Sequence, residues 1–200
     1  MRWSPKAISR PPRIRGAARV ASACLALALA LGGCGSSTAG GKAEVAIPLT
    51  STAFEGGKLP ARFTCDGANI SPPLRWGSVP SASAEVVLFA IGKPASASTH
   101  VSSTIEWAMA GIKPGLHELK AGEVPHGAFL EQASDGKRQY SICPARGQTR
   151  FYAFAVYALP EKVKVTPKIN GAALFHNLAE GPPKFRAPGS GAFTVTYTRK

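Results

Sequence analysis

The segment Arg150–Leu159 (RFYAFAVYAL) constrains the fold most, because apolar or aromatic side chains occupy both of its alternating faces. Successive side chains of a β-strand point to opposite sides of the sheet, so this segment predicts a strand in the middle of a sheet. Three further segments have strand character: Glu85–Gly92, Thr104–Ala110 and the C-terminal AFTVTYTRK.

The C-terminal segment alternates cleanly, with Phe193, Val195 and Tyr197 on one face and threonines on the other, which is typical of a half-buried strand. Only Asn170–Gly181 has a helical pattern, and Gly181 followed by Pro182 favours its end there. Strands and helices do not alternate along the chain. We therefore predict a mostly β fold of antiparallel sheets with one or two short helices.

Residues 1–33 resemble a bacterial lipoprotein signal peptide. The basic residues of this segment are Arg2, Lys6, Arg10, Arg13, Arg15 and Arg19. They precede an apolar run, VASACLALALALGG, that is short for a permanent membrane span. The run closes on Leu31-Gly32-Gly33-Cys34, which is similar to a lipobox, so we expect Cys34 to carry a lipid. The alternatives are an ordinary secretory signal and an uncleaved anchor in which Cys34 is incidental.

This interpretation sets the expected domain organisation and location. Residues 34–42 form a Gly/Ser-rich tether, and residues 43–200 form one domain at the extracytoplasmic face of the cell membrane. Loss of residues 1–33 leaves 18 basic and 11 acidic residues, a net charge of +7. Because these charges form no long basic block, nucleic acid is not an expected partner, whereas anionic lipid headgroups attract such a surface.

Two cysteines, Cys65 and Cys143, remain in the predicted domain. An oxidising compartment favours a disulfide between them, which would close a loop of 78 residues. The alternative is two separately buried thiols.

The segment FTCDGANISPPLRW, from Phe63 to Trp76, suits neither a helix nor a central strand, because it contains an Asp-Gly turn and two consecutive prolines. We interpret it as a rigid loop, with Trp76 in the core beneath it. The favoured role of Asp66 is to cap backbone N–H groups of its own turn; ligand contact is the alternative.

Together with IEWAMAGIKPG and YSICPARGQTRFYAFAVYAL, this segment resembles the phosphatidylethanolamine-binding protein family, in its bacterial Raf-kinase-inhibitor-like branch. The resemblance covers about Val45 to Lys200. The motif DGxNxSPPLxW is complete: Asp66, Gly67, Asn69, Ser71, Pro72, Pro73, Leu74 and Trp76. The later block keeps Tyr140, Cys143, Pro144, Gly147 and Arg150.

The resemblance implies an antiparallel β-sandwich with a small surface pocket that, in relatives, binds phosphate or phospholipid headgroups. It places these residues at the pocket: Asp66, Lys93, Pro94, Glu106, Trp107, Tyr140, Pro144 and Thr149. This chain departs from the family pattern at three of them. Lys93 replaces an acid, and Glu106 and Thr149 replace histidines.

The exchange of charges predicts an ion pair between Lys93 and Glu106 that occupies the position of the anion. Three alternatives stay open: Lys93 and Thr149 hold a different polar ligand, the pocket retains phosphate-type binding, or Lys93 is an ordinary exposed lysine of a turn. The sequence contains no complete set of nucleophile, base and acid, no metal-ligand spacing among its histidines and no glycine-rich phosphate loop before a helix. We therefore predict neither an enzyme nor a metal or other cofactor.

Two functions fit these features. The first is a lipid-anchored extracytoplasmic protein that binds a small polar ligand or a lipid headgroup. The second is an interaction or inhibitor protein of the cell envelope, with a vestigial pocket and another envelope protein as its partner.

Overall fold

The computed structural model describes residues 44–54, 56–95, 103–164, 170–180 and 187–200. The predicted signal peptide, the tether and Cys34 lie outside these ranges, so their boundaries stay predictions. The strands are β1 (Val45–Ala46), β2 (Leu49–Thr50), β3 (Leu74–Trp76), β4 (Glu85–Pro94), β5 (Thr104–Ile112), β6 (Glu118–Leu119), β7 (Phe129–Leu130), β8 (Thr149–Leu159) and β9 (Gly189–Thr198). A 3-10 helix spans Ala61–Phe63, and the α-helix α1 spans Gly171–Glu180.

The strands form two sheets. The larger has the order β1-β9-β8-β4-β5-β7 and the smaller the order β2-β3-β6. All pairs of these strands are antiparallel except β1 with β9. Strand β8 pairs with β4 on one edge and with β9 on the other, so the prediction of a central strand is confirmed, as is the mostly antiparallel β class.

The large sheet is covered on both faces, which explains the continuous apolar run of β4. Val86, Leu88 and Ala90 pack in one cluster with Leu74 and Trp76 of the small sheet. The alternate residues of β4 pack in a second cluster that includes Leu174 of α1. We call these two sides of the large sheet the sandwich face and the helix face. Trp76 is buried, as the sequence predicts.

Both sheets and both apolar clusters lie within one compact unit, Gly40–Lys200. A unit that contains its own core has what a domain needs to fold alone.

Candidate functional site

One end of the large sheet collects polar side chains, because four strand ends meet there. In the register of β4 and β8, Pro94 lies opposite Arg150. In the register of β4 and β5, Gly92 lies opposite Thr104, and Thr149 of β8 lies opposite Thr198 of β9. We call this end of the sheet the polar end. Arg150, Glu106 and Thr104 all lie there on the sandwich face.

These three side chains form a hydrogen-bonded group, the Arg150 cluster. Arg150 Nη2 donates to Thr104 Oγ1 at 2.7 Å, and Thr104 Oγ1 donates to Glu106 Oε1 at 2.8 Å. Arg150 Nη1 lies 3.9 Å from the same carboxylate oxygen. The side chains of Arg150 and Glu106 are 16% and 18% exposed. Arg150 Nε is buried and has no hydrogen-bond partner among the described residues.

A β-bulge brings Glu106 into this cluster. Ala90 pairs with Trp107, but the next residue of β4, Ile91, pairs with Ile105, so Glu106 is the extra residue of β5. A Cβ built on Gly92 would lie 2.5 Å from Glu106 Oε1. Because Gly92 has no side chain, the carboxylate occupies that space and lies next to Arg150.

The predicted ion pair between Lys93 and Glu106 is wrong. Lys93 pairs with Phe151, one residue along from the Pro94–Arg150 pair, and neighbouring strand residues point to opposite faces. The exposed side chain of Lys93 therefore projects from the helix face, whereas Glu106 pairs with Arg150 on the sandwich face. Thr149 shares the face of Phe151 and shares a hydrogen bond of 2.8 Å with Thr198 Oγ1.

Replacement of Gly92 by alanine is expected to lower the free energy of unfolding by about 1–3 kcal/mol, because the added Cβ would overlap the Glu106 carboxylate. The same Cβ would lie 3.0 Å from Thr104 Oγ1 and 3.1 Å from Arg150 Nη2. Urea unfolding of the variant measures the loss. The matched control is Gly115→Ala, since a Cβ there meets nothing within 4 Å. Equal stability of the two variants would contradict the packing of the cluster.

Burial shifts the pKa values of the acid of the cluster and of two neighbouring phenols in the same direction. Burial raises the pKa of Glu106, while the Thr104 hydroxyl and Arg150 lower it in part. Burial also raises the pKa values of Tyr140 and Tyr152, and the Glu106 carboxylate adds to both shifts. Both tyrosines are therefore neutral phenols at physiological pH.

The raised pKa of Glu106 predicts a pH dependence of stability. A carboxyl whose pKa is higher in the folded state binds its proton more tightly there, so the free energy of unfolding falls as pH rises from about 4.5 through the raised pKa. Glu106→Gln removes this contribution. We expect the wild-type curve of stability against pH to fall more steeply than that of the variant over this window. Urea unfolding at pH 4–8 tests this, and parallel curves would contradict it.

Asp66 lies at the polar end, and its carboxylate accepts hydrogen bonds from side chains instead of from the backbone of its own turn. Tyr197 Oη donates to Asp66 Oδ2, and Arg199 Nε donates to Oδ1 at 3.1 Å. These hydrogen bonds, that of Tyr197 above all, lower the pKa of Asp66. The favoured role of Asp66 as a cap of its own turn is therefore wrong; Thr64 supplies that cap, since its Oγ1 accepts from the Asp66 backbone N–H. Arg199 Nη1 also donates to the backbone oxygen of Pro144 at 3.1 Å, which ties a second predicted pocket residue to this network.

The predicted disulfide between Cys65 and Cys143 is present. Hydrogen bonds lie close to it. Cys65 N–H donates to Ile142 O at 3.0 Å. Asn69 Nδ2 donates to Ser141 Oγ, and Asn69 Oδ1 accepts from Ile142 N–H, both at 3.2 Å. Asn69 has φ of +50°, a left-handed conformation that asparagine tolerates better than most residues. The loop after Phe63 is thus fastened to the segment that precedes β8.

Trp107 and Tyr140, both predicted at the pocket, line an open cleft of about 390 Å³. Their rings meet edge to face at 5.8 Å, and Tyr140 Oη donates to Phe63 O at 2.8 Å. Ile70, Met109, Val124 and Leu130 supply most of the other apolar wall. The eight predicted residues therefore do not converge on one point. Pro94 and Glu106 lie near Arg150, whereas Asp66 and Pro144 lie near Arg199. Trp107 and Tyr140 line the cleft. Lys93 and Thr149 lie on the helix face.

No helix within the described ranges is long and apolar enough to cross a bilayer.

The two sheets form a small β-sandwich that contains the Arg150 cluster and the cleft. The phosphatidylethanolamine-binding protein family model matches residues 50–185. The chain belongs to this family.

A bacterium and an archaeon contain proteins that are similar to this chain. The chain is 32% identical over 183 residues to a Mycobacterium tuberculosis protein named "Putative lipoprotein LppC", a match that covers 80% of this chain and 89% of the relative. It is 34% identical over 119 residues to a UPF0098 protein of Methanothermobacter thermautotrophicus, covering 56% of this chain and 74% of the relative.

Two solved structures share the fold. A phosphatidylethanolamine-binding protein homologue from Chlamydia trachomatis has a TM-score of 0.63 and 24% identity, with 78% of this chain and 99% of that chain covered. Escherichia coli YbcL, described as a member of the mammalian family, has a TM-score of 0.64 and 22% identity, with 77% and 99% covered.

Proposed function

We propose that this chain is a lipid-anchored extracytoplasmic binding protein whose Arg150 cluster takes a small anion or the anionic group of a phospholipid headgroup. The observation that carries the proposal is the incomplete hydrogen bonding of the Arg150 guanidinium. Its Nη2 is engaged by Thr104, its Nη1 makes only a long contact with Glu106, and its Nε lacks a partner among the described residues. The family name supports the headgroup class.

A guanidinium is suited to this task, because its donors are arranged in a planar fork that matches the oxygens of phosphate or carboxylate. A buried donor without an acceptor costs free energy, so an oxyanion that accepts from Nε and Nη1 would gain more than at an exposed arginine. The Glu106 carboxylate lies next to Arg150 and would repel an anion bound there. We therefore expect a ligand that also carries an ammonium group, such as phosphoethanolamine, to bind better than sulfate.

Calorimetric and thermal-shift titrations of residues 43–200 with phosphoethanolamine and sulfate test this function. Binding should be detected in the wild type and fall by tenfold or more in Arg150→Gln, in line with the ~1.5–3 kcal/mol of a charge-assisted hydrogen bond. The control is Arg75→Gln, which removes a 68% exposed arginine of β3 that pairs with Glu118. Equal binding by both variants, or none by the wild type, would refute the proposal.

The pair between Glu106 and Arg150 also supports the second function, an interaction protein of the envelope with a self-occupied pocket. In that case the wild type binds neither probe, and Glu106→Gln gains binding because the internal carboxylate no longer competes for Arg150. This result would direct the search to protein partners.

The anchor is proposed from the lipobox-like segment and from the relative that is named a lipoprotein. Metabolic labelling with an alkyne fatty acid in a bacterial host tests it. Label should enter the wild-type chain and be lost in Cys34→Ala, while Cys24→Ala, within the apolar run VASACLALALALGG, keeps it. Label in the Cys34→Ala chain would refute the anchor at this position.

A further inference from the structure

The cleft lined by Trp107 and Tyr140 adjoins the Arg150 cluster through two chain segments. On β5, Trp107 directly follows Glu106. On the segment that precedes β8, Tyr140 directly precedes Ser141, whose N–H donates to Glu106 O at 3.2 Å. A wall of the cleft and the acid of the cluster are therefore neighbours on both segments.

The two recesses differ in chemistry. The cluster contains an arginine, a carboxylate and a hydroxyl. In the cleft, the polar Asn69, Ser71 and Gln139 are joined by five large apolar side chains: Ile70, Trp107, Met109, Val124 and Leu130. The Asn69 amide at its edge is already engaged by Ser141 and Ile142. Val124 is one of the few large apolar side chains that are exposed within the described ranges, at 49%. At about 390 Å³ the cleft is within the size range of small-molecule sites.

We propose that this cleft is a subsite for the apolar tail of an amphiphilic ligand whose anionic head lies at the Arg150 cluster. The inference rests on the proposed function and extends it from a headgroup to a single-chain amphiphile. A group of apolar side chains next to a cation is complementary to a molecule with one charged end and one alkyl chain. Because a buried methylene is worth about 0.8 kcal/mol, each methylene that enters the cleft should tighten binding about fourfold.

Titrations of residues 43–200 with ethyl phosphate and octyl phosphate, both below micelle-forming concentrations, test the subsite. The two probes share the head and differ only in the chain. We expect octyl phosphate to bind at least tenfold more tightly to the wild type. Val124→Asn, which adds polarity without charge, should lower the ratio of the octyl phosphate affinity to the ethyl phosphate affinity. The matched control is Val45→Asn, which alters a valine of similar exposure, 46%, on β1.

The outcomes separate the subsite from the function on which it rests. Ethyl phosphate binding with no gain for octyl phosphate would overturn the subsite alone. A gain that persists equally in Val124→Asn and Val45→Asn would place the alkyl chain elsewhere and would likewise overturn the subsite. If octyl phosphate binds Arg150→Gln as tightly as it binds the wild type, its head does not lie at the Arg150 cluster, and the subsite is overturned. If neither probe binds the wild type, both proposals are refuted.

Discussion

Replacement of Cys65 and Cys143 by alanine is expected to lower the free energy of unfolding by about 4 kcal/mol. The disulfide closes a loop of 78 residues, and in the chain-entropy model a crosslink stabilises mainly by limiting the conformations of the unfolded chain. The closed loop contains β3 to β7, so its release affects most of the strands that surround the core. Urea unfolding at pH 7 measures the loss.

Each single variant, Cys65→Ala or Cys143→Ala, should lose as much stability as the double variant, because either change breaks the same bond. The wild type in reducing buffer provides a control without any substitution, and its stability should match that of the double variant. A loss below about 1 kcal/mol would show that the unfolded state is little restricted by the crosslink. In that case the hydrogen bonds of Asn69 and Tyr140 would be the main links between the two segments.

The sequence predicts the long elements well because each carries its own pattern. The pattern predicts a strand over Arg150–Leu159, where β8 spans Thr149–Leu159, and a helix over Asn170–Gly181, where α1 spans Gly171–Glu180. A continuous apolar run or a strict alternation of apolar and polar residues indicates the secondary structure of such a segment without reference to the rest of the chain. The short strands β1, β2, β6 and β7 have two residues each, too few for a periodic pattern, and depend on tertiary pairing.

The site is less predictable because it depends on register. Lys93 and Pro94 are neighbours in sequence, yet only Pro94 shares the face of Arg150. The bulge at Glu106 shifts the pairing of β5 by one residue, and such a shift decides which side chains meet. A prediction from aligned motifs alone therefore selects Lys93 and Thr149 for the pocket and omits Arg150. Alternation along RFYAFAVYAL places Arg150 on the same face as Tyr152 and Phe154, but both faces of this segment are apolar, so the sequence alone does not indicate which face holds the site.

Arg150→Met is expected to lower the free energy of unfolding at pH 7 by about 3 kcal/mol, because it leaves the Glu106 carboxylate in a largely buried site without its cation. Methionine keeps an unbranched apolar stem, so the packing around β8 changes little. Glu106 would then ionise less readily than in the wild type. The loss should therefore shrink as pH falls from 7 towards 4, where Glu106 becomes protonated in both proteins.

The double variant Arg150→Met/Glu106→Gln separates the charge from the packing. If the single variant is unstable because a buried charge lacks its partner, a neutral amide at position 106 restores most of the loss, and the two substitutions are strongly non-additive. If instead Arg150 acts through its contacts with Thr104 and the neighbouring strands, the double variant is at least as unstable as Arg150→Met, and the losses add. Urea unfolding of the four proteins at pH 7 closes the cycle. Additive losses would contradict a Glu106–Arg150 pair, and with it the internal carboxylate that any anionic ligand of this pocket has to displace.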